Sequence, residues 1–395
     1  MATLAFLTYL AIVLIVGLFC SMLSNKLKIP NALLLILAGM GLGALTYFGK
    51  PIIEFPDLFL TVMGVFALIV IVFDATSKLK LKEFDTFSFK AINLVFVFLL
   101  LSLIILTLFT MVLTKVSLGL ALIFSSIVVG TAPDFIIRAF AGIKTRVVEL
   151  LKIESIINTP IIVLLPFIIL DFMQSVNVEF LFSKFLEQIA PFLQQIITGV
   201  GAGIVVGLIV FKLMRTQYSE KFSPIAVIAS ALITYILAEN LGGNGILAVS
   251  TIGIIFGNVY VKQKHTLQSY STFLSSFLEI LIFVLVGFII KLPMTWGFFL
   301  TSIGLFILYL GIRFGAVHWV LKDFELKQKI FMTLNVPKGI AVAVLALTLS
   351  TLTIPGLKLI LDLILSFMLY SIVLSTIVLK LSNYFLVEEV KKKKK

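Results

Sequence analysis

Long apolar runs cut by brief polar punctuation dominate this chain. Loop signals such as Ser24-Asn25-Lys26, Lys50-Pro51 and Lys291-Leu292-Pro293 divide it into thirteen apolar stretches. They lie near 2–22, 31–49, 57–76, 90–114, 117–140, 149–172, 190–213, 223–240, 244–261, 272–291, 296–320, 329–351 and 356–386. A helix rising 1.5 Å per residue needs roughly 20 apolar residues to cross a bilayer core, so each stretch is read as a membrane span. Two spans are interrupted. The fifth breaks at Gly130-Thr131-Ala132-Pro133-Asp134 and the twelfth at Asn335-Val336-Pro337-Lys338-Gly339, with the two prolines 204 positions apart. Spans one to six and eight to thirteen pair at similar offsets, and the odd connector at 190–213 places the halves in opposite orientations. The expected architecture is an all-α polytopic membrane protein of about thirteen transmembrane helices. It forms one domain over 1–386, with inverted six-helix repeats near 2–172 and 223–386. Residues 387–395 make a short basic cytoplasmic tail.

Composition agrees with that pattern. Of 395 residues, 61% are hydrophobic and 13% charged, whereas soluble domains carry about 45–50% and about 25%. No positive region precedes the first run, whose first basic residue is Lys26, so it is read as a retained span rather than a signal peptide. A single cysteine, Cys20, excludes an internal disulfide, and two histidines (His265, His318) leave little for zinc or haem. No cofactor and no enzyme motif is expected. The net charge of +12 sits between apolar runs and in Lys391–Lys395, which suits a lipid surface rather than nucleic acid. With thirteen spans, 23 of the 31 basic residues fall on one side and 5 on the other. The rich side is cytoplasmic, which places the N-terminus outside and the C-terminus inside, in the cell membrane.

The chemistry gathers at the breaks and in the sixth span. Paired interrupted helices mark the midplane site of many transporters, because irregular backbone at that depth must face protein or a water-filled cavity. Ordinary proline kinks are the simpler reading. Opposite charges directly after the two prolines, Asp134 and Lys338, argue against it, since each is costly in a bilayer core. In the sixth span Glu154 and Asn158 share a helix face, as do Ser155 and Thr159. Such oxygen ligands suit hard cations.

These residues resemble a known family, the monovalent cation:proton antiporters in their sodium/proton exchanger branch, which share an NhaA-like inverted-repeat fold. Val72-Phe73-Asp74 followed by Lys78-Leu79-Lys80 is similar to the exit of that family's third helix. Glu154-Ser155-Ile156-Ile157-Asn158 matches its Glu-Ser-x-x-Asn signature. The block from Ala238 to Val249, with Gly253 and Gly257-Asn258, is the longest match, and Pro337-Lys338-Gly339 resembles the twelfth-helix motif. The resemblance implies exchange of a monovalent cation, Na⁺ first and K⁺ or Li⁺ next, for H⁺ by alternating access in a homodimer. It implies a cation and proton site drawn from Asp74, Thr131, Asp134, Ser155, Asn158 and Thr159, and a structural ion pair between Glu154 and Lys338.

Two departures matter. The family's cation-binding Asp after the sixth-span Asn is Thr159 here, and its Thr-Asp-Pro motif reads Thr131-Ala132-Pro133, with the carboxylate displaced to Asp134. A threonine hydroxyl coordinates a cation but carries no proton at physiological pH. Either Asp134, with Asp74 or Glu154, takes over titration, or coupling is altered. Arg313 is left between snorkelling and an interhelical ion pair. Glu239 and Asp171 sit at outer helix ends as solvated or interface positions, and Glu279 and Asp362 have no assigned role. A sodium-coupled solute symporter on the same fold, or a non-transporting homologue, is the alternative.

Overall fold

The computed structural model describes residues 2–27, 30–48, 50–53, 55–78, 86–132, 145–175, 182–216, 219–289, 293, 295–382 and 384–386. Among these, the helices are α1 (Ala2–Leu27), α2 (Asn31–Ala44), α3 (Asp57–Ser77) and α4 (Thr86–Leu101). A π-helical turn, Ser102–Leu106, leads into α5 (Thr107–Thr114), followed by α6 (Leu118–Val128), α7 (Arg146–Ser175), α8 (Phe182–Thr216), α9 (Phe222–Asn240) and α10 (Gly245–Asn258). The chain continues through α11 (Lys264–Ile289), α12 (Trp296–Val320), α13 (Leu326–Leu334), α14 (Ile340–Ser350) and α15 (Leu357–Lys380). The strands described are one hairpin, β1 (Thr46–Tyr47) with β2 (Lys50–Pro51). Among the described residues nine helical segments are long and apolar enough to cross a membrane, and α2, α6, α10 and α14 are shorter apolar helices. This is a polytopic, helical integral membrane protein.

A helix lies in each apolar stretch marked from the sequence, and the differences are at the ends. The second stretch stops at Ala44, because Leu45 turns extended and the hairpin follows. The fourth stretch begins at Thr86 rather than near 90 and carries the π turn. The tenth begins at Lys264 rather than 272. Its ammonium donates to the Gly257 carbonyl at 2.5 Å and so ties the start of α11 to the end of α10. The second half of the fifth stretch and the basic tail lie outside the described residues.

Apolar side chains alone do not hold helices together in lipid, so close backbone approach does much of the work. A Cβ on Gly39 of α2 would run into the Val284 carbonyl of α11, and one on Gly287 of α11 would run into the Ile36 carbonyl of α2. Gly287→Ala is therefore expected to cost about 1–3 kcal/mol through overpacking. Thermal unfolding in detergent would read this, and an unchanged midpoint would show that α2 and α11 slide apart freely.

Outside the bilayer core, Lys90 at the start of α4 pairs with Asp323 in the α12–α13 connection at 2.5 Å. The hydrogen bond and charge of Lys90 hold the Asp323 carboxyl below the usual carboxylate range. A highly enclosed element is α14, whose residues Ile340 to Leu347 are all buried. It begins where the twelfth stretch breaks.

Candidate functional site

The two breaks touch. Helix α6 ends at Val128, and α13 stops at Leu334 before α14 resumes at Ile340. Pro337 has no amide hydrogen to give, so the ladder cannot run through it. Its carbonyl instead accepts from the Ala132 amide at 2.8 Å, backbone to backbone across the crossing. Gly339 makes that approach possible. Its φ of −108° and ψ of −167° are open to any residue, but a Cβ there would stand 2.7 Å from Ala132 Cβ and 3.0 Å from its Cα. Lys338, 1% exposed, reaches back across the crossing. Its Nζ donates to the Gly130 carbonyl at 2.9 Å and to Tyr309 Oη at 2.5 Å. Its amide donates to Ser371 Oγ of α15 at 3.1 Å.

Helix α7 supplies the third wall. Glu154, Ser155, Asn158 and Thr159 are all buried, as their i,i+4 spacing on an inward face requires. Asn158 Nδ2 donates to the Val129 carbonyl at 3.0 Å, tying α7 to the first break. The Ser155 hydroxyl donates to the Lys152 carbonyl at 2.8 Å and the Thr159 hydroxyl to the Ser155 carbonyl at 2.8 Å. Both oxygens keep acceptor lone pairs. Asn158 Oδ1, Thr131 Oγ1 and both side-chain polar atoms of Asn335 are buried without a hydrogen-bond partner. Each such atom costs about 1–3 kcal/mol unless something occupies it. Three neutral oxygens of this kind, on three elements that meet at one crossing, have the donor chemistry of an alkali-cation site. Among the described residues no three His, Cys, Asp or Glu side chains group as metal ligands.

The ion pair is not the one the sequence motif implied. Glu154 pairs with Arg313 of α12, through Nη1–Oε1 at 2.5 Å and Nη2–Oε2 at 2.7 Å, with the side chains 1% and 0% exposed. Lys338 is occupied by Gly130 and Tyr309 instead. The reason is geometric. A planar guanidinium offers two parallel donors to a carboxylate, and Arg313 is further held over the Phe98 ring at 4.8 Å. Arg313 is thus an interhelical partner rather than a snorkelling residue. The described cluster sets two basic side chains, Arg313 and Lys338, beside one acidic side chain, Glu154.

Asp74 stands apart from these contacts. Its Oδ2 takes Lys78 one turn on at 2.6 Å and its Oδ1 accepts from Thr272 of α11 at 2.9 Å, so it ties α3 to α11. Asp134 and Pro133, at the far side of the first break, lie outside the described residues. The long block from Ala238 to Val249 forms the α9–α10 turn. Gly242 takes a φ of +70°, Glu239 Oε1 accepts from the Gly245 amide at 2.8 Å, and Asn244 caps α10 by accepting from Leu247 at 2.9 Å. Sequence reading missed Tyr309, Ser371 and the Asn335 side chain. The Tyr309–Arg313 pair, four apart on an otherwise apolar helix, was the available signal.

The family described as "Sodium/hydrogen exchanger, transmembrane" matches this chain over residues 10–381. The chain is 28% identical over 359 residues to a probable Na(+)/H(+) antiporter 2 of Methanocaldococcus jannaschii, covering 86% of this chain and 83% of that one. It is 26% identical over 380 residues to the Na(+)/H(+) antiporter NhaH of Halobacillus aidingensis, covering 91% and 92%. Among solved structures, the sodium proton antiporter MjNhaP1 of Methanocaldococcus jannaschii at pH 8 has the same fold, with a TM-score of 0.78 over 98% of this chain and 99% of that one at 22% identity.

Proposed function

This chain belongs to the sodium/hydrogen exchanger family, and from that premise we propose that it exchanges a monovalent cation, Na⁺ first, for H⁺ by alternating access. The observation that carries the reading is the crossing of the two breaks. There Thr131, Asn158 and Asn335 hold buried oxygens with no protein partner, and Lys338 bonds to the carbonyl of Gly130. Members of this family are transporters rather than enzymes. On this reading the helices make thirteen crossings in two inverted repeats, the N-terminus lies outside, the C-terminus is cytoplasmic, and two copies form a dimer in the cell membrane. The division of basic residues between alternate loops supports the orientation.

The cation is held by the oxygens of Thr131, Asn158 and Thr159, with Ser155 beside them. Asp134 carries the proton in place of the family's missing sixth-span carboxylate. One charge is taken at a time, Na⁺ or H⁺, because the Asp134 carboxylate answers either the cation or the proton and not both. Asp74 is expected to position α3 rather than bind the cargo, because Lys78 and Thr272 already take its oxygens.

In proteoliposomes with an imposed pH gradient, adding Na⁺ is expected to dissipate the gradient, with K⁺ and Li⁺ tested in turn. Solute-dependent Na⁺ uptake without proton movement would favour the symporter instead. Asp134→Asn is expected to abolish cation-dependent proton movement while the protein still folds. Full exchange in that variant would move the titrating role to Asp74 or Glu154. With Cys20 replaced, cysteines at Lys82 and Lys144 should react only from the cytoplasmic side. Reaction from outside at either position would overturn the count of crossings and the repeat together.

A further inference from the structure

A cavity of about 480 Å³ opens at the far end of α14, lined by Val286 and Ile289 of α11, Leu347 and Ser350 of α14, Thr353, and Asp362 of α15. It is separate from the crossing. Helix α14 starts at the second break and runs 11 residues to Ser350, which is about 16 Å at 1.5 Å per residue.

Asp362 is the unusual residue here. It is 5% exposed and sits on a membrane helix, yet its carboxylate makes no hydrogen bond or ion pair with any described residue; only its backbone carbonyl is used, by Ser366. A carboxylate in such a place is expensive unless it has a ligand or water. Lys358, one turn earlier, also lines the cavity but is exposed at its rim and does not close onto Asp362. One carboxylate with two hydroxyls is too few hard ligands for a bare divalent ion, which takes six or more oxygens. The space is far larger than a single water needs, so it has room for a cation with its hydration shell.

We propose that this cavity is a loading site for a hydrated monovalent cation, with Asp362 as its anionic ligand. The identity of the cation rests on the exchange reading above; the site itself does not. The apolar walls from α11 and α14 focus the field of the single carboxylate into the cavity, as low-dielectric clefts do. Because α14 runs from this cavity to the second break, a cation gathered at Asp362 stands one half-helix from the crossing. Lys358 acts as a tethered competitor at the rim.

The test is labelling of Ser350→Cys in a Cys20→Ser background with a trimethylammonium methanethiosulfonate and its neutral hydroxyethyl analogue. The cationic reagent is expected to react about tenfold faster, the lower end of the enrichment a charged cleft produces. Na⁺ should slow that reaction while N-methylglucamine does not. Asp362→Asn should level the two rates, Asp362→Glu should keep the preference, and Lys358→Met should increase it. Equal rates with Asp362 in place, or a preference that survives Asp362→Asn, would overturn the proposal. Should Asp362→Asn not fold, the Glu and Met variants and the Na⁺ protection decide it alone. Labelling does not depend on transport. Discrimination without Na⁺-driven proton flux would retain this site and remove the exchange reading, and exchange without discrimination would do the reverse.

Discussion

Replacing Glu154 by Gln is expected to cost about 3–5 kcal/mol of stability, the usual penalty for breaking a buried ion pair from one side. The substitution leaves the Arg313 guanidinium at 0% exposure with no counter-charge. The cost comes from the abandoned cation rather than from the lost attraction, since an intact buried pair contributes little net stability. Arg313→Met in the Glu154→Gln background should therefore recover part of the loss. Thermal unfolding of the four proteins in detergent closes the double-mutant cycle. Strict additivity would mean the two side chains do not interact.

Gly339→Ala is expected to cost about 1–3 kcal/mol by overpacking and to slow exchange by on the order of tenfold, equivalent to about 1.4 kcal/mol in the barrier. The added methyl has no room: Ala132 Cβ lies 2.7 Å from where it would stand. Making room pulls the breaks apart, lengthens the Ala132–Pro337 hydrogen bond and moves the Gly130 carbonyl away from Lys338. The backbone angles of Gly339 suit alanine, so conformational strain does not enter. Gly304 of α12 is the control, because a Cβ there meets nothing within 4 Å. Gly304→Ala should leave both stability and exchange intact or raise stability slightly. Equal behaviour of the two variants would show that close contact at the crossing is dispensable.

Much of the site was legible in the residues because its signals are local. Pro337 breaks a helix wherever that helix lies. Glu154 and Asn158 share a face because helices repeat every 3.6 residues, and burial of both follows from the apolar surroundings. The partner of Glu154 was not legible. Lys338 and Arg313 are both cations on membrane spans, and motif likeness favoured Lys338. The choice turned on which head group could present two donors to the carboxylate while the other reached a freed carbonyl. The contacts of Asp74 were not legible for a related reason. An intramembrane carboxylate beside a lysine four residues on reads equally well as a cargo ligand or as a helix tie, until Thr272 arrives from α11 at 2.9 Å.

The amino-acid sequence by itself determined the class and the elements: a membrane protein, because no soluble fold hides so much apolar surface, and helices in each apolar stretch, because backbone groups in lipid must be satisfied within their own segment. It also determined where the twelfth stretch breaks, at Pro337. Only the tertiary structure decided that Ala132 meets Pro337, that Arg313 rather than Lys338 answers Glu154, and that the Asp362 carboxylate faces a cavity with no hydrogen bond or ion pair among the described residues. Periodicity and proline chemistry act over a few residues, whereas pairing depends on distances between atoms more than a hundred residues apart.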